Sequence, residues 1–229
     1  EVFFLDPFFY EIVISGILAG VMYALVALGF VLIFKASGIF NFAQGVLALF
    51  AALTLVGFQT GQIPFAHLLS LFGLHVSHWG AGLPTLLALL FSLAVMVLLA
   101  WLIVQIVLKP LVNQEGIILF MATIGLAYVL EGVGDLMWGA NVKELNIGLP
   151  EGPSEIILDT TSMFIEKLEI SAAVVAIILV VSLTLFSQYT KMGRALRAVA
   201  DDHQAALSVG ISLETIWWIV WSVSGLVAL

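Results

Sequence analysis

Polar residues that could carry chemistry are few in this chain, and the most unusual pair is Glu131 and Asp135. They stand four apart inside an apolar segment, so a helix would place both carboxylates on one face. A central acid raises the cost of inserting a helix into a membrane by about 2.5–3.5 kcal/mol, so it needs water, a partner or a proton. Glu131 is a candidate for a polar pathway, with snorkelling to the surface as the alternative. Asp135, three residues from Trp138, is expected to snorkel.

Two further polar pairs are spaced for contact. Asn41 and Gln44 lie three apart at the start of another apolar segment. They could hydrogen-bond a polar substrate or cap the helix, and both options remain open. His75 and His78 are also three apart, but no third ligand lies near them in the sequence. A structural or exposed histidine pair is therefore expected, and no metal site.

Composition defines the environment that must hold these residues. The 229 residues are 62% hydrophobic and 10% charged, with a mean hydropathy of +1.20. Soluble domains carry about a quarter charged residues, so lipid is the consistent surrounding. The chain has no cysteine, which excludes disulfides and thiolate metal sites. It has no phosphate-binding loop for a nucleotide, and we expect no nucleic-acid partner. The net charge of −8 is less informative than the placement of the charges along a membrane protein.

Six apolar segments predict an all-α, polytopic membrane bundle in a single domain, 1–229. The expected spans are 11–34, 42–59, 84–108, 117–138, 170–189 and 213–229. The last is about 17 residues long, at the lower limit for crossing a hydrocarbon core of about 30 Å. Since the chain starts without Met and ends inside an apolar run, we expect a copy truncated at its C-terminus.

The distribution of basic residues predicts the orientation. One side of the predicted membrane domain holds Lys35, Lys109, Lys191, Arg194 and Arg197. The opposite side holds two lysines, Lys143 and Lys167, among many acids. Basic residues are retained on the cytoplasmic side during insertion, so the N-terminus is expected outside.

The inner loop 191–212 is rich in helix formers and predicts a short helix on the cytoplasmic surface. Arg194 and Arg197 lie at one end and Asp201 and Asp202 at the other. The apolar residues of 195–200 form a small surface between them that could dock on another protein. A basic helix that merely follows the positive-inside rule is the alternative.

Part of this loop resembles a known coupling segment. Gln204, Ala205 and Ala206, followed by Gly210, resemble the Glu-Ala-Ala-x-x-x-Gly core through which ABC importer permeases contact their ATPases, with Gln204 in place of the Glu. The residues that this resemblance implies for coupling to an ATPase are Gly193, Arg194, Arg197, Ala200, Asp201, Gln204, Ala205, Ala206 and Gly210.

Three longer stretches, 16–45, 109–139 and 192–211, closely resemble the branched-chain amino-acid ABC transporter permease family. In 41–46 the family usually has Asn-Phe-Ala-His-Gly-Glu, whereas this chain has Gln44 and Val46 at the His and Glu positions. Related permeases carry urea or short amides, which are therefore the alternative solutes. Thr123 and Gly125 resemble the family's Ala-Thr-Ile-Gly stretch. The candidate pathway residues are thus Asn41, Gln44, Thr123, Gly125 and Glu131.

The resemblance implies a transport subunit and not an enzyme, in the plasma (inner) membrane of a prokaryote. Alternating access would be driven by two ABC ATPase subunits, which hold the ATP and Mg, while this chain binds no cofactor. A second related permease, an extracytoplasmic solute-binding protein and membrane lipid would be its other partners. An ion-coupled secondary transporter and a non-transporting scaffold remain alternatives from other classes.

Small residues in the first span predict close helix packing. Gly16, Gly20 and Ala24 are four apart and share one helix face, so a neighbouring backbone could approach closely. We expect packing within the chain in preference to a dimer interface.

Overall fold

The structure is a computed structural model that describes residues 7–73, 78–111, 114–144, 148, 152–155, 158, 163–201, 208, 210 and 212–229. Within this part the helices are α1 (Pro7–Ser37), α2 (Gln44–Thr60), α3 (Ala66–Leu71), α4 (Thr85–Ile103), α5 (Gly116–Trp138), α6 (Lys167–Tyr189), α7 (Lys191–Asp201) and α8 (Leu213–Ala228). The predicted all-α polytopic fold is confirmed, with a helix over each of the six predicted segments.

Among the described residues, four helical stretches are long and apolar enough to cross a membrane: Phe8–Ser37, Thr85–Leu111, Gly116–Trp138 and Lys167–Tyr189. The apolar helices Gln44–Thr60 and Glu214–Ala228 are shorter. A helix of 17 residues rises about 25 Å, less than a hydrocarbon core of about 30 Å. Length and composition therefore support four crossings, and the other two predicted spans, like the single-domain expectation, stay predictions.

Helix α1 extends past both of its predicted ends because the sequence marks them with specific residues. Its first residue is Pro7, whose fixed φ suits the first helical position. At the other end Gly38 has a φ of +67° and donates its N–H to Phe34 O over 2.7 Å. A glycine in this left-handed conformation closes the helix without steric cost.

Helix α2 lies at the centre of the bundle. It packs against α4, α5 and α8, while α1 packs mainly against α6 and α8. The neighbours bury nearly half of its 17 residues, which are Gln44, Leu47, Phe50, Ala51, Thr54, Leu55, Val56 and Gly57. By contrast, Ala173 and Ala176 are the buried residues of α6, so that helix presents most of its surface outward. A short helix in this position is shielded from lipid by its neighbours.

Helix α4 continues beyond Ile103 in a different winding. Val104–Leu108 forms a π-helix and Lys109–Leu111 a 3₁₀ turn, in which Lys109 donates its backbone N–H to Val104 O, five residues earlier. Val104 and Leu108 nevertheless stay fully buried. The widened turn therefore keeps its apolar side in the core while changing the direction in which its polar side chains leave the helix.

Candidate functional site

A buried polar network surrounds the start of α2. Ser224 Oγ lies 2.7 Å from Gln44 Oε1 and donates to it, and Asn41 Nδ2 donates to the same oxygen over 3.2 Å. Gln44 Nε2 in turn donates to Ser224 O over 3.5 Å. Asn41 and Gln44 are 1% and 4% exposed, so both side chains lie inside the protein. The network joins the loop before α2 to α8.

Neither residue caps α2 with its side chain. The N-cap position is Ala43, and Asn41 Oδ1 accepts the N–H of Ala43 over 3.1 Å in a local turn. Of the two options left open by the sequence, capping is therefore not what the structure shows. In this conformation both amides are engaged with other residues of the chain.

Gly29 of α1 completes the network by leaving room for it. A Cβ at this position would lie 2.5 Å from Gln44 Nε2 and 3.1 Å from Ser224 Oγ. Gly29 O is also 3.3 Å from Ser224 Oγ, a second acceptor for that hydroxyl. A side chain at position 29 would displace Gln44, so the glycine permits α1, α2 and α8 to meet.

Thr123 connects α5 to the same loop. Its Oγ1 lies 2.8 Å from Phe40 O and 2.9 Å from Phe120 O, so its proton can serve either acceptor. The same oxygen accepts the N–H of Phe42 over 3.4 Å. Thr123 is fully buried. It therefore holds the backbone of 40–42 against α5.

Three predicted pathway residues, Asn41, Gln44 and Thr123, thus lie around the start of α2. Their side chains are hydrogen-bonded to other residues of the chain. Gly29 and Ser224 belong to the same cluster and were not predicted from the sequence. Nothing local marks Ser224, which lies 180 residues after Gln44. A glycine in an apolar helix is equally uninformative until its neighbours are known.

The other two predicted pathway residues lie on the surface of α5. Gly125, Glu131 and Asp135 are all exposed, and no other element among the described residues lies within 4 Å of a Cβ built on Gly125. Tyr128 on the same helix is 72% exposed. Glu131 is therefore separated from the Gln44 network and faces outward from this single chain.

The small residues of α1 are exposed as well. Gly16, Gly20 and Ala24 have exposed surfaces, and nothing described lies within 4 Å of a Cβ at either glycine. Among the described residues no close neighbour covers this face, so its packing within the chain stays a prediction. The buried residues of α1 are instead Gly29, Ile33 and Ala36, in its second half.

The turn between α6 and α7 is held by both arginines of α7. Arg197 donates from Nη1 to Ser187 O over 2.8 Å and from Nη2 to Gln188 O over 3.4 Å. Arg194 Nη1 donates to Tyr189 O over 3.3 Å. These carbonyls belong to the last turn of α6, where helical partners run out, and guanidinium charge there is favourable. The arginines therefore have a structural role within the chain.

Gly193 allows the same turn to be tight. A Cβ there would collide with the backbone oxygens of Phe186 and Ser187. Its own N–H donates to Thr190 Oγ1 over 2.9 Å, so Thr190 caps α7. Because both collisions are with backbone atoms, no side-chain rotation would relieve them. Gly193 is a packing residue of this turn.

The apolar side of α7 faces the bundle. Val199 is fully buried in the main apolar cluster, with Met192, Ala195 and Leu196 packed against it. Of the two options that the sequence left open, docking through this apolar surface does not fit its burial against the bundle. The exposed side of α7 carries Lys191, Arg194, Ala198 and Asp201.

Several predicted residues cannot be placed against this face. Gln204, Ala205 and Ala206, and the side chain of Ala200, lie outside the described residues, as does His75. Gly210 is described, exposed and has a φ of +85°.

Within the part of the chain that the structure describes, no three metal-binding side chains are grouped.

At the opposite end of the bundle Lys143 lies against the end of α5. Its ammonium donates to Gln62 Oε1 and lies 5.9 Å from the centre of the Trp138 ring. Gln62 Nε2 donates to Trp138 O over 3.3 Å. Burial lowers the pKa of Lys143 below its ordinary value of 10.5. This contact fastens the loop after α5 to the loop after α2.

Comparison with known proteins places the chain in a family. Residues 12–228 match the family described as branched-chain amino acid transport system / permease component, and the chain belongs to it. The family resemblance of the sequence is thereby confirmed. No solved structure matches the chain significantly.

Individual relatives are distant but match over most of the chain. The permease protein LivH of the high-affinity branched-chain amino acid transport system of Escherichia coli K12 is 24% identical over 226 residues, covering 91% of this chain and 64% of LivH. LivH of Salmonella typhimurium is 26% identical over 215 residues, with the same coverages. BraD of Pseudomonas aeruginosa, a permease protein of the same kind of system, is 26% identical over 208 residues, covering 89% and 62%. The chain spans less than two thirds of the length of these relatives.

Proposed function

We propose that this chain is a membrane-spanning permease subunit of an ATP-driven ABC importer for branched-chain or related amino acids. The observation that carries the proposal is the family match over residues 12–228. The names of LivH and BraD, permease proteins of high-affinity branched-chain amino acid transport systems, supply the substrate class. In this proposal the chain is a transport subunit of the inner membrane, and ATP and Mg belong to two partner ATPase subunits.

The ATPases would act on the end of the bundle that carries α7. This helix lies near Lys35 and Lys109 in the predicted topology, and its exposed side is polar and charged. We propose that this polar side, with Asp201 and the following residues through Gly210, is the contact surface. Arg194, Arg197 and Gly193 would transmit movement by fixing α7 to α6. With basic residues retained inside, the N-terminus lies outside, where a solute-binding protein would deliver the amino acid.

Glu131 is the residue that we propose for the solute pathway. An ionised acid directed at hydrocarbon is unfavourable, so its exposed position on α5 favours a polar cavity or a second permease subunit beside it. A carboxylate there would attract the ammonium of an amino acid. Gly125 precedes Glu131 on the same helix, and its missing side chain would allow a neighbouring backbone or the solute to approach α5 closely.

The experiment that tests the proposal is purification of the full-length protein from native membranes, with its associated proteins identified and ATP hydrolysis measured. We expect ATPases to co-purify and hydrolysis to rise when a binding protein loaded with leucine, isoleucine or valine is added. If ATP hydrolysis rises only with a binding protein loaded with urea or a short amide, the substrate class is urea or short amides and not branched-chain amino acids. A chain without ATPases whose uptake follows an ion gradient would overturn the importer proposal.

Two variants of the complex test the assigned surfaces. Ala198→Trp, on the exposed side of α7, should lower ATP-driven uptake by about tenfold or more while the protein still inserts, because it blocks a protein contact. Glu131→Gln should lower uptake by a similar factor, with Asp135→Asn as its matched control on the same helix. Uptake at the wild-type rate in either variant would remove that surface from the mechanism.

A further inference from the structure

A groove opens on the side of the bundle between the π-helical end of α4 and the beginning of α8. Its volume is about 310 Å³, and it is lined by Trp101, Gln105, Glu214, Thr215 and Trp218. This volume falls at the lower end of the range for small-molecule sites. None of the lining residues belongs to the Gln44 network, to α5 or to α7. The proposed transport function leaves the groove without a role.

The groove lies on a surface that suits lipid. Leu98, Leu102 and Ile106, which precede or follow the lining residues on the same helix, are 56%, 37% and 67% exposed. Trp101 and Trp218 are 45% and 37% exposed. Tryptophan is enriched where hydrocarbon meets the polar layer of a membrane. Exposed tryptophans beside exposed leucines favour a position near the headgroup layer, at the end of the bundle that carries Lys109.

Its polar edge contains one carboxylate and one ammonium. Glu214 Oε1 accepts hydrogen bonds from Gln105 Nε2 over 2.6 Å and from Lys109 Nζ over 3.0 Å. Lys109 Nζ also lies 3.4 Å from Gln105 Oε1. The side chains of Lys109 and Glu214 are 53% and 47% exposed. An ion pair this exposed contributes little by itself, so its two charges remain open to a charged ligand.

The winding of α4 assembles this edge. Gln105 lies within the π-helix Val104–Leu108, and Lys109 closes it through its bond to Val104 O. Such local widenings are frequent at functional sites, because they redirect side chains without ending the helix. Here the widened turn and the first turn of α8 hold Gln105, Lys109 and Glu214 together.

We propose that this groove binds the headgroup of an amine-bearing phospholipid of the surrounding membrane, of the phosphatidylethanolamine type. The lipid ammonium would lie at Glu214 between the two tryptophans, whose ring faces attract cations. The lipid phosphate would lie at Lys109. A zwitterionic headgroup matches the one negative and one positive group of the edge, whereas a purely anionic headgroup would leave Glu214 opposed to its phosphate.

The test is native mass spectrometry of the full-length protein, exchanged into detergent with equal amounts of phosphatidylethanolamine and phosphatidylglycerol. We expect one retained phosphatidylethanolamine, at about fivefold or more over phosphatidylglycerol. Glu214→Gln and Trp218→Leu should each lower its retention by about fivefold. Glu115→Gln, an exposed acid before α5, and Trp79→Leu, an exposed tryptophan on another loop, are matched controls that should retain it.

Three results would overturn the proposal. Equal retention of phosphatidylethanolamine in wild type and Glu214→Gln would show that the carboxylate does not bind the lipid amine. Preference for phosphatidylglycerol, lost in Lys109→Gln alone, would assign the groove to anionic lipid. No retained lipid, together with reduced co-purification of ATPases in Glu214→Gln, would assign it to a protein contact.

A second measurement avoids dependence on the folding of variants. Soluble phosphoethanolamine added to the wild-type protein should displace the retained lipid and change tryptophan fluorescence, whereas glycerol phosphate at the same concentration should do so about fivefold less effectively. Equal effects of the two compounds would contradict recognition of the amine.

Discussion

Ser224 donates a hydrogen bond of 2.7 Å to Oε1 of Gln44, a residue 180 positions earlier in the chain. The bond is buried, and it joins the last described helix to the start of the central helix. Inside the bundle such a contact fixes the relative position of two helices, because a buried group that loses its partner has no water to bond to instead. The polar network is therefore a structural joint in this conformation.

Replacement of Gln44 by Leu should destabilise the protein, because Asn41 Nδ2 would lose its acceptor inside the bundle and Ser224 would keep only its longer bond to Gly29 O. We expect a loss of about 1–3 kcal/mol, seen as a thermal midpoint lowered by several degrees for the full-length protein in detergent. Gln114→Leu, at an exposed loop position, is the control and should leave the midpoint unchanged. Equal midpoints for Gln44→Leu and wild type would show that the network does not contribute to stability.

Two glycines of the same helix provide a sharper comparison. Gly29→Ala places a Cβ 2.5 Å from Gln44 Nε2, whereas Gly20→Ala meets nothing within 4 Å in the described structure. We expect Gly29→Ala to cost about 1–2 kcal/mol through displacement of the bonded amide. Gly20→Ala should be neutral or slightly stabilising, since alanine favours a helix.

Thermal midpoints of the two alanine variants, measured under one condition, check this prediction. The reverse order, with Gly20→Ala the less stable, would mean that the exposed small face of α1 has a tight neighbour in the assembled protein. It would also show that the contact at Gly29 is easily relieved.

The sequence predicted the helices better than their contacts, for physical reasons. Apolar runs of about 20 residues identify membrane helices because lipid requires them, and a helix lies over each of the six segments. The meeting of Gln44 with Ser224 depends on tertiary packing, which no local pattern encodes. Nor does the sequence around Gln105 mark the π-helix that follows Ile103.

Helix α7 shows that a correctly predicted helix does not by itself tell what its apolar side contacts. Its amphipathic pattern predicted a helix with one apolar side, and that helix is present as Lys191–Asp201. Periodicity does not tell whether an apolar side faces the chain's own bundle or a partner. Val199 is fully buried, so the bundle takes that side and leaves the charged side to any partner.

The two arginines of α7 should differ in their contribution to stability. Arg197 makes two hydrogen bonds to the end of α6, the shorter of 2.8 Å, and is partly buried, whereas Arg194 makes one of 3.3 Å and is exposed. We expect Arg197→Met to cost about 1–3 kcal/mol and Arg194→Met less than about 1 kcal/mol. Methionine keeps the apolar stem and removes the charge.

Limited proteolysis of the α6–α7 turn, followed with thermal midpoints, measures this difference. Arg197→Met should be cleaved there several times faster than Arg194→Met, because fraying of the last turn of α6 exposes its backbone. Indistinguishable cleavage rates would assign the anchoring of α7 to Gly193 and its apolar side alone.

Lys143 should make stability depend on alkaline pH with a defined sign. Burial lowers its pKa in the folded protein below 10.5, the ordinary value that it regains on unfolding. Between those two values the unfolded chain binds more protons, so stability rises with pH, and the penalty for burying the charge is fully present only below the folded pKa.

Lys143→Met removes this titration while keeping an apolar stem. We therefore expect the thermal midpoint of wild type minus that of Lys143→Met to increase as the pH rises from the lowered pKa of the folded protein to 10.5. All other titrating groups are common to the two proteins and cancel in that difference, so a flat or falling difference would contradict the burial of the Lys143 ammonium against Gln62 and Trp138.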